Sequence, residues 1–232
     1  MALMNWVDEI YTKYPFYGKR RIRVHLKRER NIHVGLDKIR TIYKLLGLEA
    51  IYPKPNLSKP NKAHKIYPYL LRDLEIIRNN QVWSTDITYI RLKRGFIYLV
   101  AIIDWFSRYV LDWQISVSLE ADFCIETLER SLLKSHCDIF NTDQGAQFTS
   151  NGFTKLILSH GIKLSMDGRG RALDNIFVER LWRSVKYECV YINAFETVQE
   201  AKEKIKAYFD FYNNIRPHQS LGYKTPAEIY LK

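Results

Sequence analysis

Apolar positions Ile39, Ile42, Tyr43 and Leu46 recur at i, i+3, i+4 and i+7, a spacing that lays one apolar stripe along a helix. Asp37 stands where it could cap that helix and Gly47 where it could end it. An earlier helix is predicted over residues 19–30, set off by Pro15 and Gly18 from a short one before it. Residues 50–68 carry no such period. Pro53, Pro55, Pro60 and Pro68 alternate there with Lys54, Lys59, Lys62 and Lys65, which predicts an extended basic linker. Beyond it the pattern changes to that of strands. Residues 82–90 are rich in β-formers, and 96–103 (FIYLVAII) are continuously apolar, as in a central strand covered on both faces. A strand over 109–115 completes a predicted antiparallel meander. Next come a helix over 120–134 with Phe123, Thr127, Leu128 and Ser131 or Leu132 along one side, a short strand over 138–142, a helix over 150–160 and a last short strand over 162–164. Long helices over 173–187 and 197–213 follow. Strands first, then strands alternating with helices, imply an α/β unit with a mixed sheet flanked by helices.

Composition narrows the class. With 47% hydrophobic and 26% charged residues among 232, the chain reads as globular. No apolar run reaches the ~18 to 20 residues that cross a bilayer, so no membrane is expected, and residues 1–10 lack the pattern of a secretory signal. Cys124, Cys137 and Cys189 are scattered, without a CxxC pair, which argues against a zinc site or a disulfide framework and for a reducing, cytoplasmic setting. Charge says more. Residues 1–65 hold 15 basic and 5 acidic side chains, so +10 of the chain's +11 lies in its first quarter. This asymmetry points to a polyanionic partner, nucleic acid above all, with Lys19, Arg20, Arg21, Arg23, Lys38 and Arg40 as candidate contacts. A merely solubilising basic arm is the alternative.

Three carboxylates stand out. Asp86 falls mid-strand, where aspartate is depleted, with Ser84 and Thr88 on the same face. Alone it is equally compatible with a paired or exposed position on an edge strand. Asp143 follows a short strand and precedes Gly145, at the strand end where α/β sheets place ligands, or where an ordinary turn aspartate would stand. Glu179 lies within a predicted helix, where an i, i+4 pair with Arg183 would be unremarkable. Asp104 reads as a turn cap, Asp174 and Asn175 as helix caps, His218 as either a DNA contact or a structural histidine, and the tryptophans, Trp182 included, as core.

Together the three say more. Fifty-six residues separate Asp86 from Asp143, and 35 separate Asp143 from Glu179. This arrangement resembles the DDE signature of retroviral-integrase-like transposases, and Lys186 matches the basic residue that follows the family's glutamate by two helical turns. SMDGRGRALDNIFVERLWRSVKYE (165–188) and NNIRPHQSLGYKTPAEIY (213–230) are similar to the second-frame product (OrfB) of insertion-sequence transposases encoded by two overlapping frames. YPFYGKRRIRVHLKRERNIHVGLDKIRTIYKLLGLEA (14–50) looks like that family's helix-turn-helix-like domain. One departure lies at Asn141 and Thr142, where this branch usually has His-Ser.

The resemblance implies a five-stranded RNase H-like core over 69–232, a small helical DNA-binding domain over 1–49 and the linker between them. It implies a DNA transposase that cleaves and joins phosphodiesters with two Mg²⁺ or Mn²⁺ ions, hard cations suited to carboxylate oxygen. Asp86 would serve both ions, and Asp143 and Glu179 one each. Lys186, with Arg183 and His218, would contact DNA. Element ends, target DNA, further copies of the chain and the product of an upstream overlapping frame are the implied partners. A nuclease that cuts without joining, and a non-catalytic DNA-binding copy, are the rival readings.

Overall fold

The computed structural model describes residues 2–50, 65–168 and 175–232. Most of the expected linker, Asp174 and the start of the helix expected from 173 lie outside them. The chain divides into two compact units, Met1–Lys59 and Pro60–Lys232.

The first unit is three helices, α1 (Ala2–Lys13), α2 (Lys19–Arg30) and α3 (Leu36–Leu45). Their apolar stripes meet in a core of Val7, Ile10, Ile22, Leu26, Ile39, Ile42 and Tyr43. The hydroxyl of Tyr43 donates to the carbonyl of Tyr17 over 2.8 Å, so this core ring keeps its polar end satisfied. Gly47 ends the third helix at φ +64°, a left-handed conformation that glycine adopts without penalty. Asp37 does not cap α3. Gly35 is the N-cap, and Asp37 is the second residue of the helix, paired with Arg40 at 2.6 Å.

The second unit is built on a five-stranded sheet: β1 (Val82–Arg91), β2 (Phe96–Asp104), β3 (Val110–Ser116), β4 (Ile139–Thr142) and β5 (Lys163–Met166). The order is β3-β2-β1-β4-β5, antiparallel from β3 to β1 and parallel from β1 to β5. The mixed sheet is therefore the one the sequence pattern implied. β2 is buried on both faces, which explains its unbroken apolar run. Ile97, Leu99, Ala101 and Ile103 pack toward α6 (Ile176–Val185) and α8 (Val198–Asn214). Val100 and Ile102 pack toward α4 (Asp122–Leu132) and α5 (Asn151–Ser159). After α6 the chain makes a π-helical turn (Lys186–Val190) and a short α7 (Tyr191–Asn193), and α9 (Pro226–Tyr230) closes it.

Asp104 is fully buried and accepts from the backbone N–H of Asn80 and Ser107 and from the Ser107 hydroxyl, at 2.6–2.8 Å. It braces a turn, as expected. Among the described residues no helix is long and apolar enough to cross a membrane.

Candidate active site

The parallel pairing of β1 with β4 is short. It runs Val82 with Ile139, Trp83 with Phe140 and Ser84 with Asn141, and then stops. Asp86 lies two residues beyond Ser84, and Asp143 two beyond Asn141. In parallel strands that equal offset puts the two aspartates level with each other, where the strands part at the C-terminal end of β4. β1 is the middle strand of the sheet, so Asp86 is not on an edge strand.

The alternation of β1 turns Asp86 to the same face as Ile90, which packs with Val178 and Leu181 of α6. From that helix the indole N–H of Trp182 donates to Oδ2 of Asp86 over 2.9 Å. Partial burial, the negative charge of Asp143 and, more weakly, that of Glu179 push the Asp86 carboxyl up to about 6, against the pull of the Trp182 hydrogen bond. Asp143 is also pushed up by the protein packed around it, and the backbone N–H of Gly145, donating to its Oδ1 over 2.8 Å, opposes the shift. A Cβ on Gly145 would lie 2.8 Å from that same oxygen, so a side chain there would push the carboxylate aside.

Glu179 projects exposed from the first turn of α6, one helical turn before Trp182. It is near enough for its charge to act on Asp86. Among the described residues, however, no three acidic, histidine or cysteine side chains are drawn to the spacing that would hold a metal ion. The donor set nevertheless suits a hard divalent cation. The mutual repulsion that raises Asp86 is what such a cation would relieve.

The loop behind Asp143 is held from β5's end. Asn141, at the position of the departure from the branch pattern, is fully buried and donates from Nδ2 to Oδ1 of Asp167 over 2.8 Å. Gln144 donates to the carbonyl of Asp167 at the same distance. Asn175 makes no side-chain cap on α6, contrary to expectation. Its Nδ2 reaches instead to the carbonyl of Thr85, 3.2 Å away on β1.

Lys186 begins the π-helical turn and lines a groove with Arg91 and Lys93, and the Arg183 guanidinium lies 5.9 Å from the ring centre of exposed Tyr187. In the first unit Lys19, Arg20, Arg21 and Arg40 surround one concavity of about 540 Å³. Arg23 lines a different one with Lys27, Arg28 and His33, and Lys38 is exposed on α3. His218 is misplaced as a DNA contact. It is only 8% exposed, set edge-on to Tyr212 with Nε2 facing Arg216 at 3.3 Å.

Comparison with known proteins agrees with this layout. The Integrase core domain family matches residues 77–172, a second Integrase core domain family matches 160–226, and the HTH-like domain family matches 1–56. The transposase for insertion sequence element IS904 of Lactococcus lactis is 32% identical over 211 residues, covering 84% of this chain and 81% of that protein. The chain belongs to the insertion-sequence transposases. The putative transposase InsK for element IS150 of Escherichia coli is 29% identical over 228 residues, with 96% and 80% covered. Among solved structures, a chain of the simian T-cell lymphotropic virus intasome superposes with a TM-score of 0.60 at 16% identity, covering 97% of this chain and 74% of that one. The BIV integrase catalytic core does so at 0.51 and 21%, with 66% and 94% covered. Both share the fold of this transposase's integrase-type core.

Trp182 and Gly145 are the two site residues that sequence reasoning missed. A signal existed for each: Trp182 is one helical turn from Glu179, and Gly145 is two residues from Asp143.

Proposed function

We propose that this transposase cleaves DNA at the ends of its mobile element and joins the released strand to target DNA, with Asp86, Asp143 and Glu179 as the catalytic carboxylates. The observation that carries the reading is the level placement of Asp86 and Asp143 at the parting of β1 and β4, with the charge of Glu179 acting on Asp86 from α6. Two Mg²⁺ or Mn²⁺ ions held by these carboxylates would activate the attacking oxygen and stabilise the leaving one. The protein's own part is positioning. Trp182 fixes the rotamer of Asp86, and Gly145 fixes that of Asp143. Asp86 is partly buried, so its charge binds a cation more strongly than it would in water. Lys186, two turns beyond Glu179, is placed for a phosphate near the scissile bond, and Arg183 for one beside it. No covalent enzyme–DNA bond is required, because water serves as the attacking group in cleavage and a DNA 3′-hydroxyl in joining.

The basic concavity of Lys19, Arg20, Arg21 and Arg40, with Arg23 and Lys38 outside it, supports a DNA-binding role for residues 1–49, joined through 50–68 to the core over 69–232. Element ends and target DNA are the proposed partners. Further copies of the chain, the product of an upstream overlapping frame and a cytoplasmic setting rest on the family resemblance. The test uses the repeats that flank the chain's own coding sequence. Purified protein with Mg²⁺ should nick duplexes that carry those repeats and link the cut ends to a second DNA. Nicking without linked products would favour the nuclease reading, and binding without nicking the inactive one.

A further inference from the structure

Beyond Ser84, β1 has no neighbouring strand on its β4 side among the described residues. Its free edge runs on past Asp86 to the hairpin. There it faces the π-helical turn across a groove of about 740 Å³ lined by Tyr89, Arg91, Lys93, Lys186, Tyr191 and Glu196, among others. Tyr89 is three residues along from Asp86, roughly 10 Å at strand rise. The groove therefore opens along the same strand edge, about 10 Å beyond Asp86.

Its lining combines cations with uncovered aromatic rings. Tyr191 is 64% exposed and stands edge-to-face with the equally exposed Tyr187 at 5.3 Å between centroids, whereas Tyr89, 55% exposed, lies against Phe96 and Tyr98 on the face of β1 opposite Asp86. Large rings left in water like this mark binding surfaces more often than packing. Glu196, the acidic member of the lining, is held by Lys93 at 2.5 Å, which leaves Arg91 and Lys186 as the groove's uncompensated charge.

The helix geometry serves the same surface. The N–H of Tyr191 donates to the carbonyl of Lys186, five residues back. A turn closed by i→i+5 bonds brings residue i+5 closer to the face of residue i than an α-helix would. The widened turn therefore brings Tyr191 around beneath Lys186, and both face β1. An unbroken α-helix would carry Tyr191 off that face.

We infer that this groove binds the unpaired nucleotides of a DNA strand leaving the carboxylates, Arg91 and Lys186 meeting phosphates while Tyr191 stacks on a base. Duplex DNA keeps its base faces internal and could use only the cations. The inference rests on the transposase reading above and adds the strand form recognised and the residues that recognise it.

The test is photocrosslinking of the full chain carrying Asp86→Asn, which removes turnover, to a short single strand containing 5-iodouracil, alongside the same sequence as a duplex. The single strand should crosslink to the peptide containing Tyr191, and the duplex should not. Tyr191→Ala should weaken single-strand affinity about 5- to 100-fold, the range that one lost stacked base gives, and Tyr191→Phe should stay within about twofold of the parent. Crosslinks confined to residues 1–59, equal crosslinking by the duplex, or an alanine variant that binds like the parent would each overturn the inference. The two readings fail separately. Cleavage by the wild type without a groove crosslink removes only the groove, and a crosslink without wild-type cleavage removes only the catalytic reading.

Discussion

The indole of Trp182 reaches from α6 to Asp86 on the middle strand of the sheet, a 2.9 Å hydrogen bond between residues 96 positions apart. It joins the helix that carries Glu179 to the strand that carries Asp86, so the spacing of two carboxylates depends on a side chain that is not itself acidic. Trp182→Phe keeps the ring in the core and deletes the donor. A hydrogen bond to a charged group contributes roughly 1.5–3 kcal/mol, so cleavage should fall about 10- to 100-fold. Because the bond favours the charged carboxylate, its loss should also move the acid limb of the pH–rate profile upward. An unchanged profile would make Trp182 only a packing residue.

Asp86 makes a prediction about stability that runs opposite to activity. Its carboxyl is raised from 3.8 to about 6 in the fold, so the unfolded chain gives up that proton first. Stability is therefore lost as pH rises from about 4 to 6, and at neutral pH the charge costs roughly 1–3 kcal/mol. Asp86→Asn should abolish cleavage yet raise the melting temperature in metal-free buffer at pH 7.5, with the gain shrinking toward pH 4. Adding Mg²⁺ should stabilise the wild type more than the variant. A variant that melts lower at pH 7.5 would mean that Asp86 is a structural aspartate.

Gly145 is not forced by a left-handed backbone but by closeness, since an added methyl would stand 2.8 Å from Oδ1 of Asp143. Gly145→Ala should displace that carboxylate. We expect at least a tenfold loss of cleavage with a thermal midpoint within a few degrees of wild type, measured by strand nicking and calorimetry. Full activity would show that the position of Asp143 is not critical.

His218 carries the clearest pH signature outside the site. Burial, followed by the neighbouring Arg216 charge, lowers its pKa from 6.5 to about 4, against a hydrogen bond to the Tyr212 backbone and the Glu188 charge. The unfolded chain thus takes up a proton that the fold refuses. This stability is fully present above pH 6.5 and is lost as pH falls toward 4, by roughly 2–3 kcal/mol. Denaturant melts of His218→Gln across that window should show a flatter dependence than wild type. Parallel curves would mean that the acid loss arises elsewhere.

The strands were legible because the two patterns that define them, a continuous apolar run at residues 96–103 and β-rich flanks, are set by burial on two faces and one. Asp86 and Asp143 were legible by type and placement. Their level alignment was not, because it depends on where β1 and β4 stop pairing. Trp182 was hidden by its own chemistry. A tryptophan at i+3 on an apolar helix face reads as core, which it is, and nothing local reveals that its N–H is aimed at a carboxylate. In the sequence His218 fits either a DNA contact or a structural role, because a Pro-His pair in a predicted loop can be exposed, whereas the segment folds back so that the ring packs against Tyr212 of α8. The π-helical turn was equally invisible, since residues 186–190 have no composition that separates a five-residue turn from an α one.

The central claim is that three carboxylates on β1, beyond β4 and on α6 form one catalytic unit. The most direct measurement compares Glu179→Gln with wild type for Mg²⁺-dependent nicking of duplexes bearing the flanking repeats, with DNA binding followed on the same samples. Glu179 is exposed, so the substitution should leave the fold intact. The expected result is a loss of nicking by about a thousandfold or more, with binding within about twofold of wild type. Nicking at the wild-type rate would contradict the claim and leave Glu179 a surface residue of α6.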